Sequence, residues 1–117
     1  MLSHLCRGCS GVGVDISPSC IANAIGMAIE EGVAGYCTWH MLDATTPEAL
    51  RSDALRNSGA TVVYLYCYPT LLTKLQPLVQ KLCSEGGARV VTMQYHFDNW
   101  RCSAECDQPS MRLYSSV

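Results

Sequence analysis

The sequence has few charged residues and too small a surplus of either sign to indicate a charged partner. Of its 117 residues only 15% are charged, and eight basic against ten acidic side chains leave a net charge of −2. Nucleic-acid-binding domains usually carry a basic surplus, so we expect no nucleic-acid partner. No apolar run approaches the roughly 20 residues that cross a bilayer, which predicts no stable membrane insertion.

We also expect no secretory signal. The first ten residues, MLSHLCRGCS, contain no continuous apolar segment of the kind that directs secretion. We therefore expect an intracellular protein, cytoplasmic or mitochondrial, whose eight cysteines stay reduced. Four cysteines fall inside regular apolar segments, where a free thiol behaves as a small hydrophobic group. We predict that these four are buried: Cys20, Cys37, Cys67 and Cys83.

The spacing of the other cysteines gives little support to a metal site. Cys6 with Cys9, and Cys102 with Cys106, form two pairs that would together supply four thiolates to zinc. The pairs lie near opposite ends of the chain, and no knuckle-like turn surrounds the second. We predict no bound metal.

What the sequence does contain is an alternation of strand-like and helix-like segments. Short segments rich in β-branched and aromatic residues predict strands at 11–16, 36–43, 60–69 and 88–97. The intervening segments predict three helices, which begin after Ser17, at Thr46 and after Pro69. Pro77 should kink or split the last helix. Strict alternation predicts an α/β domain with a mostly parallel sheet of four to five strands and helices on its faces.

The length of the chain fits a single domain. Residues 101–117 are polar and contain two cysteines, which predicts a tail outside the main alternation. Within that tail only MRLYSSV resembles an edge strand.

Two of the predicted strands end in an aspartate. Asp15 closes GVGVD, and Asp43 closes YCTWHMLD. The carboxyl ends of parallel strands lie at one edge of a sheet, where α/β proteins bind their ligands. One carboxylate there can accept from ribose hydroxyls and the other from an exocyclic amine, so the pair predicts an adenosine site. Taken singly, each aspartate is more commonly a turn-forming residue.

Four segments together resemble a known family. GVGVDISPSCIANA, MLDA, VVYLYCYPTLLTKLQPLV and GGARVVTMQYHFDNW look like the second to fifth strand segments of class I S-adenosylmethionine-dependent methyltransferases. They are most similar to the small protein-lysine methyltransferases that act on the mitochondrial ADP/ATP translocase and the ATP synthase c-subunit. The resemblance covers roughly residues 7–100. It implies a Rossmann-like three-layer sandwich, S-adenosylmethionine as cofactor and a protein lysine as methyl acceptor.

The resemblance also implies roles for single residues of the cofactor site. Asp15 would bind the ribose hydroxyls of the cofactor, and Ile16 would lie against the adenine. Asp43 would accept from the adenine amine, with Ala44 beside it.

For the acceptor side the resemblance points to the end of the third predicted strand. Tyr66, Tyr68 and Pro69 fall where the family lines the channel from methyl donor to acceptor nitrogen. Tyr68, or a main-chain carbonyl near it, would orient the acceptor amine, which makes Tyr68 and Pro69 the candidate catalytic residues. Simple alternation across a buried strand explains the spacing of Tyr64, Tyr66 and Tyr68 equally well.

The chain departs from the family at its start. The family's first strand and its glycine-rich loop, which receives the methionine part of the cofactor, should precede the GVGVD segment and are absent. CRGCSGVG is no substitute, because its glycines run into the next strand and lack the spacing of a dinucleotide fingerprint. We therefore interpret residues 1–117 as a single, N-terminally truncated methyltransferase-like domain.

The missing strand lies in the middle of the family's sheet. The two strands that would flank it must either pair with each other or leave two edges exposed to self-association. This leaves a second functional hypothesis, a non-catalytic methyltransferase-like interaction module or an inactive fragment. A nicotinamide-nucleotide enzyme is a third, and the missing glycine fingerprint disfavours it.

Overall fold

The computed structural model describes residues 10–51 and 59–116. Within these residues the backbone forms six strands, two α-helices and two short 3₁₀ helices, the latter at Ala34–Tyr36 and Pro47–Arg51. The chain divides into two compact units between Ala44 and Thr45. Each unit has its own sheet, and each is described by itself.

The first unit is a strand, a helix and a second strand. Strand β1 (Gly11–Asp15) and strand β2 (Cys37–Met41) pair in parallel, and helix α1 (Pro18–Glu30) connects them. A parallel pair needs such a crossover, because the chain must return to the starting end of the neighbouring strand.

Helix α1 begins where the sequence predicts. Ser17 is its N-cap, with Oγ accepting from the Cys20 N–H at 3.3 Å, and Pro18 is the first helical residue. The helix is covered only in part, since Ala28 is its one buried residue and Ile29 is 63% exposed.

The second unit is built on a four-stranded sheet. Strand β3 (Val62–Leu65) leads through helix α2 (Pro69–Gly86) to strand β4 (Arg89–Met93), which pairs with β3 in parallel. A hairpin of β5 (Ala104–Asp107) and β6 (Ser110–Tyr114) follows. The strand order is β3-β4-β6-β5, and β6 is antiparallel to both of its neighbours.

The prediction of one mostly parallel sheet is therefore wrong in two respects. The described strands form two sheets, and the larger one is mixed. The segment expected to be an edge strand instead supplies β6, which lies inside that sheet with β5 at the edge. A tight hairpin makes β5 and β6 antiparallel to each other, and docking β6 beside β4 places the Tyr114 side chain in the core, where it is 0% exposed.

Strand β1 belongs to the two-stranded sheet, and β3 belongs to the four-stranded sheet. Within the described chain, β1 has only β2 as a strand partner and β3 has only β4.

The core of the second unit lies between helix α2 and one face of its sheet. It contains three apolar side chains from the helix, one from β4 and two aromatic rings from later in the chain: Leu72, Val79, Cys83, Val90, Phe97 and Tyr114. The alternation of β3 places Val63, Leu65 and Cys67 against this core. The other face carries Val62 and Tyr64, which are 49% and 57% exposed. Of the three tyrosines only Tyr64 lies in β3; Tyr66 and Tyr68 follow the strand, and all three are more than half exposed, so the expected buried strand does not cover them.

Two further expectations can be compared with the structure. Helix α2 runs unbroken through Pro77, so this proline does not split it. The short helix predicted from Thr46 begins as a 3₁₀ helix at Pro47, and residues 52–58 of that segment lie outside the described residues.

The four cysteines predicted to be buried differ in exposure. Cys83 is buried, Cys37 and Cys67 are half-buried, and Cys20 is exposed. Cys20 stays accessible because it lies in the first turn of α1, a helix with a single buried residue. Burial raises the pKa of the Cys83 thiol, and it raises that of Cys67 against an opposing backbone hydrogen bond from Tyr66. Both thiols are therefore poor nucleophiles.

Among the described residues, no helix has the combination of length and apolar character needed to span a lipid bilayer.

Candidate functional site

Asp15 is the last residue of β1, and its side chain closes the turn into α1. Its Oδ1 accepts from the Ser17 N–H at 2.8 Å, and its carbonyl accepts from the Leu42 N–H at 3.1 Å. The turn-forming role considered for a single aspartate is therefore present. Because a carboxylate has acceptor capacity for about four hydrogen bonds, this one N–H leaves capacity for ribose hydroxyls.

Asp43 lies at the same edge of the first sheet as Asp15. Asp15 is opposite Met41 in the parallel register, and Asp43 follows Met41 by two residues. The carboxyl ends of β1 and β2 thus bring both aspartates to one edge. Asp43 and Ala44 are half-buried, and Ile16 is 65% exposed. The exposed Ile16 side chain next to Asp15 gives this edge an apolar surface on which a planar base can lie.

Tyr68 and Pro69 form the start of helix α2. Tyr68 is the N-cap residue, and its carbonyl accepts from the N–H groups of Leu71 and Leu72, each at 3.0 Å. This carbonyl is engaged by the helix, which weakens the suggestion that it orients an acceptor amine. The Tyr68 side chain is 71% exposed, and its ring centroid lies 5.4 Å from that of Tyr95. The Pro69 carbonyl accepts from the Thr73 hydroxyl at 3.0 Å.

The structure adds residues that the sequence reading did not assign to the site. Gln94 follows the last residue of β4, and its Oε1 accepts from the Tyr66 hydroxyl. Its Nε2 donates to the Tyr95 hydroxyl at 3.4 Å. Tyr66 follows the carboxyl end of β3, so the two adjacent strands bring Tyr66 and Gln94 together. No sequence signal pointed to Gln94, because the predicted strand over 88–97 placed this residue inside the strand, whereas β4 ends at Met93.

A second polar contact fixes the loop beyond Gln94. His96 Nδ1 lies 2.6 Å from the hydroxyl of Thr92, which is fully buried, and Nε2 lies 2.8 Å from the hydroxyl of Ser110. Burial lowers the pKa of His96, and the Arg112 guanidinium lowers it further, against the opposing charge of Glu105. A neutral imidazole can donate at one nitrogen and accept at the other, which suits a bridge between β4 and β6.

A cavity of about 250 Å³ lies between the first turns of α2 and the segment after His96. Its lining combines apolar groups with hydroxyl, amide and carboxylate groups: Pro69, Leu72, Thr73, Gln76, His96, Phe97, Asp98 and Asn99. Asp98 is the one acidic side chain of this lining. The cavity adjoins Tyr68 and Tyr95 through their chain neighbours Pro69 and His96, so it lies beside the predicted acceptor residues.

The cysteine pairs considered for zinc are only partly described. Cys102 is half-buried and Cys106 is exposed, where its thiol donates to the Pro109 carbonyl at 3.2 Å. Cys6 and Cys9 lie outside the described residues. In the part of the chain that the structure describes, no three histidine, cysteine or acidic side chains are grouped so as to hold a metal ion.

No protein-family model matches the sequence, and a search of curated proteins gives no match. Among solved structures, the chain is similar to an RNA methyltransferase from Salinibacter ruber in complex with S-adenosyl-L-homocysteine. The TM-score is 0.70 and the sequence identity is 26%, over 92% of this chain and 66% of that chain. This chain thus spans just under two thirds of the length of that protein. The chain therefore has an α/β fold similar to that of an S-adenosylmethionine-dependent methyltransferase.

Proposed function

We propose that this protein transfers a methyl group from S-adenosylmethionine to an acceptor nitrogen. The observation that carries the proposal is the likeness, over 92% of the chain, to a methyltransferase with bound S-adenosylhomocysteine. The sequence also supports it, since the segments that suggested this family contain β1, β3 and β4 and the last residue of β2.

The donor set at the edge of the first sheet fits an adenosine. A carboxylate prefers hydrogen-bond donors, and a ribose offers two adjacent hydroxyls, which suits Asp15. The adenine amine is a donor that suits Asp43, and the exposed Ile16 offers apolar surface to the base. In this proposal Asp15, Ile16, Asp43 and Ala44 hold the adenosine part of the cofactor.

The rate of methyl transfer depends more on how the protein positions the acceptor amine than on acid or base catalysis. When bound, S-adenosylmethionine supplies an electrophilic methyl carbon on a positively charged sulfur. With the cofactor bound, an acceptor amine that had first given up its ammonium proton to water would displace the sulfur: an N–C bond would replace the S–C bond, whose electron pair would remain on sulfur. The methylated amine then gives its extra proton to water. The protein has to hold the amine lone pair in line with the S–C bond, at a distance of about 3–3.5 Å before attack.

The cavity next to Pro69 supports a lysine side chain as the acceptor. Its volume of about 250 Å³ is below the range of about 300–1,000 Å³ that is typical of pockets for whole small molecules. It suits one extended side chain better than a nucleoside. Asp98 is the charged group of the lining, and a carboxylate attracts an ammonium group and repels a phosphate. The net charge of −2 also favours a basic partner over RNA.

RNA is the second candidate acceptor, because the similar structure is that of an RNA methyltransferase. Exposed aromatic rings are surfaces on which single-stranded bases stack, and Tyr64, Tyr66 and Tyr68 are each more than half exposed. The two acceptors differ in their product, so one labelling experiment distinguishes them.

The first experiment is a calorimetric titration of the protein with S-adenosylhomocysteine. We expect saturable binding of one molecule per chain. Absence of binding, together with a dimer on size-exclusion chromatography, would instead favour the non-catalytic interaction module whose sheet edges pair with a second copy.

The second experiment supplies S-adenosylmethionine with a tritiated methyl group and two acceptor pools, an RNase-treated protein extract and purified total RNA. We expect label in the protein pool, recovered as methyl-lysine after acid hydrolysis. Label recovered only as methylated nucleoside would show that the acceptor is RNA and not a protein lysine. The proposal of methyl transfer would still hold. Label in neither pool would contradict the proposed function.

A further inference from the structure

The backbone at Gln94 has a conformation that glutamine adopts at a cost in free energy. Its φ is 68°, and it is the one described residue other than glycine with a positive φ. Glycine, or the short polar asparagine, is the usual residue at such a position. A strained residue of this kind persists where its surroundings hold it and often lies at a functional site.

The surroundings of Gln94 hold it from both its backbone and its side chain. Its N–H donates to the Ser110 carbonyl at 2.8 Å, and the N–H of Tyr95 turns back to the Met93 carbonyl at 2.8 Å. The side-chain amide bonds to the hydroxyls of Tyr66 and Tyr95. The strained backbone thus aims a long amide at two phenols, which a glycine at this position could not do.

The direction of the bond between Tyr66 and Gln94 matters for a nitrogen acceptor. A phenol has one proton to donate, and Tyr66 donates it to the Gln94 Oε1. The phenol oxygen therefore has its acceptor lone pairs for other donors, such as the N–H groups of an amine. If that proton were free to rotate, it could bond to the amine lone pair, which is the pair that must attack the methyl carbon.

We propose that Gln94 is a positioning residue that holds the Tyr66 hydroxyl with its proton turned away from the acceptor nitrogen. This assignment rests on the proposed function. Gln94 acts through Tyr66 and does not itself touch the reacting atoms.

Three variants test the assignment: Gln94→Gly, Gln94→Asn and Tyr66→Phe. Gln94→Gly removes the side chain and relieves the backbone strain, and Gln94→Asn keeps an amide that is one methylene too short to reach both phenols. We expect both to lower the rate of tritium transfer at saturating S-adenosylmethionine at least tenfold. The melting temperature should not fall, and the affinity for S-adenosylhomocysteine should stay within twofold. Gln80→Asn, the same chemical change on the exposed surface of α2, should leave the rate unchanged.

The double variant Tyr66→Phe with Gln94→Gly separates positioning from a general structural role. Since Gln94 acts through the Tyr66 hydroxyl, adding Gln94→Gly to Tyr66→Phe should change the rate by less than twofold. A further tenfold loss in the Tyr66→Phe background would overturn the assignment. So would full activity of Gln94→Gly, or a loss of activity that parallels a fall in melting temperature.

Assays of the wild-type protein distinguish failure of the role proposed for Gln94 from failure of the proposed function. Transfer by the wild type that the Gln94 variants leave unchanged overturns the role of Gln94 alone. A wild type that neither binds S-adenosylhomocysteine nor transfers the label overturns the proposed function, and the role of Gln94 falls with it.

Discussion

Gly13 in β1 lies directly opposite Trp39 in β2, and the indole ring fills the space that a side chain at position 13 would occupy. A Cβ added to Gly13 would clash with two carbon atoms of the Trp39 ring. The glycine of the GVGVD segment is therefore required by close packing of two parallel strands, and phosphate binding is not needed to explain it.

This contact predicts that Gly13→Ala destabilises the protein by about 1–3 kcal/mol, the usual cost of forcing an extra carbon into a packed site. Chemical denaturation measures the change in the free energy of unfolding. Gly26→Ala is the matched control, since Gly26 lies inside α1 and a Cβ there meets nothing within 4 Å. It should stabilise by about 0.5–1 kcal/mol, because alanine loses less conformational entropy in a helix. Equal effects of the two substitutions would contradict the packing argument.

Asp15→Asn should separate the two roles of the Asp15 side chain. Asparagine keeps an oxygen that can accept from the Ser17 N–H, so the melting temperature should change little. The ribose hydroxyls lose a charged acceptor, and such hydrogen bonds contribute about 1.5–3 kcal/mol. The affinity for S-adenosylhomocysteine should therefore fall about 10-fold to 100-fold by calorimetry. Unchanged affinity would leave Asp15 as a turn-forming residue only.

The role of Asp43 can be tested by changing the ligand as well as the residue. S-inosylhomocysteine carries a carbonyl oxygen where S-adenosylhomocysteine carries the adenine amine. If Asp43 accepts from that amine, Asp43→Ala should weaken binding of the adenosyl compound about tenfold or more and have much less effect on the inosyl compound. Calorimetry with both ligands completes the cycle. Equal losses for the two ligands would show that Asp43 acts on the fold of the edge and not on the base.

Tyr114→Phe should destabilise the second unit, although it removes a single oxygen. The ring is 0% exposed, and its hydroxyl accepts from the Phe97 N–H at 3.0 Å in the buried core. Loss of that acceptor leaves a buried backbone donor unpaired, which costs about 1–3 kcal/mol. Tyr64→Phe, on the exposed face of β3, should change the free energy of unfolding by less than about 0.5 kcal/mol. Similar values for the two variants would contradict this account of the core.

His96 should make the stability of the protein depend on pH. Its pKa is lowered in the folded chain, mainly by burial, from the value of 6.5 expected in the unfolded chain. The unfolded state then binds a proton more readily, so stability is full above pH 6.5 and is lost as the pH falls from there through the folded pKa. Melting temperatures at pH 7.5 and 5.0 should differ less in His96→Asn than in the wild type. An unchanged difference in His96→Asn would contradict this assignment.

The local features of this protein follow from the sequence alone. Ser17 and Pro18 begin α1 because a hydroxyl can cap free N–H groups and proline tolerates the first helical position. Asp15 and Asp43 reach one edge because Asp15 ends β1 and Asp43 follows the end of β2 by two residues, and the two strands are parallel. These are short-range effects of residue type and spacing, so the positions of the predicted cofactor residues needed no tertiary information.

The tertiary structure decided what depends on contacts between distant segments. The sequence pattern placed MRLYSSV in a polar tail, but pairing with β4 puts this segment inside the mixed sheet and buries Tyr114. Whether a side chain is buried depends on which neighbouring strand covers it, and the local sequence does not specify that neighbour. In the sequence Gln94 is likewise an ordinary polar residue. Only the pairing of β3 with β4 brings it within hydrogen-bond distance of Tyr66. Tyr66 and Gln94 are 28 positions apart in the sequence. The residues next to each of them do not restrict the many conformations open to the segment between them, so no local pattern predicts this hydrogen bond.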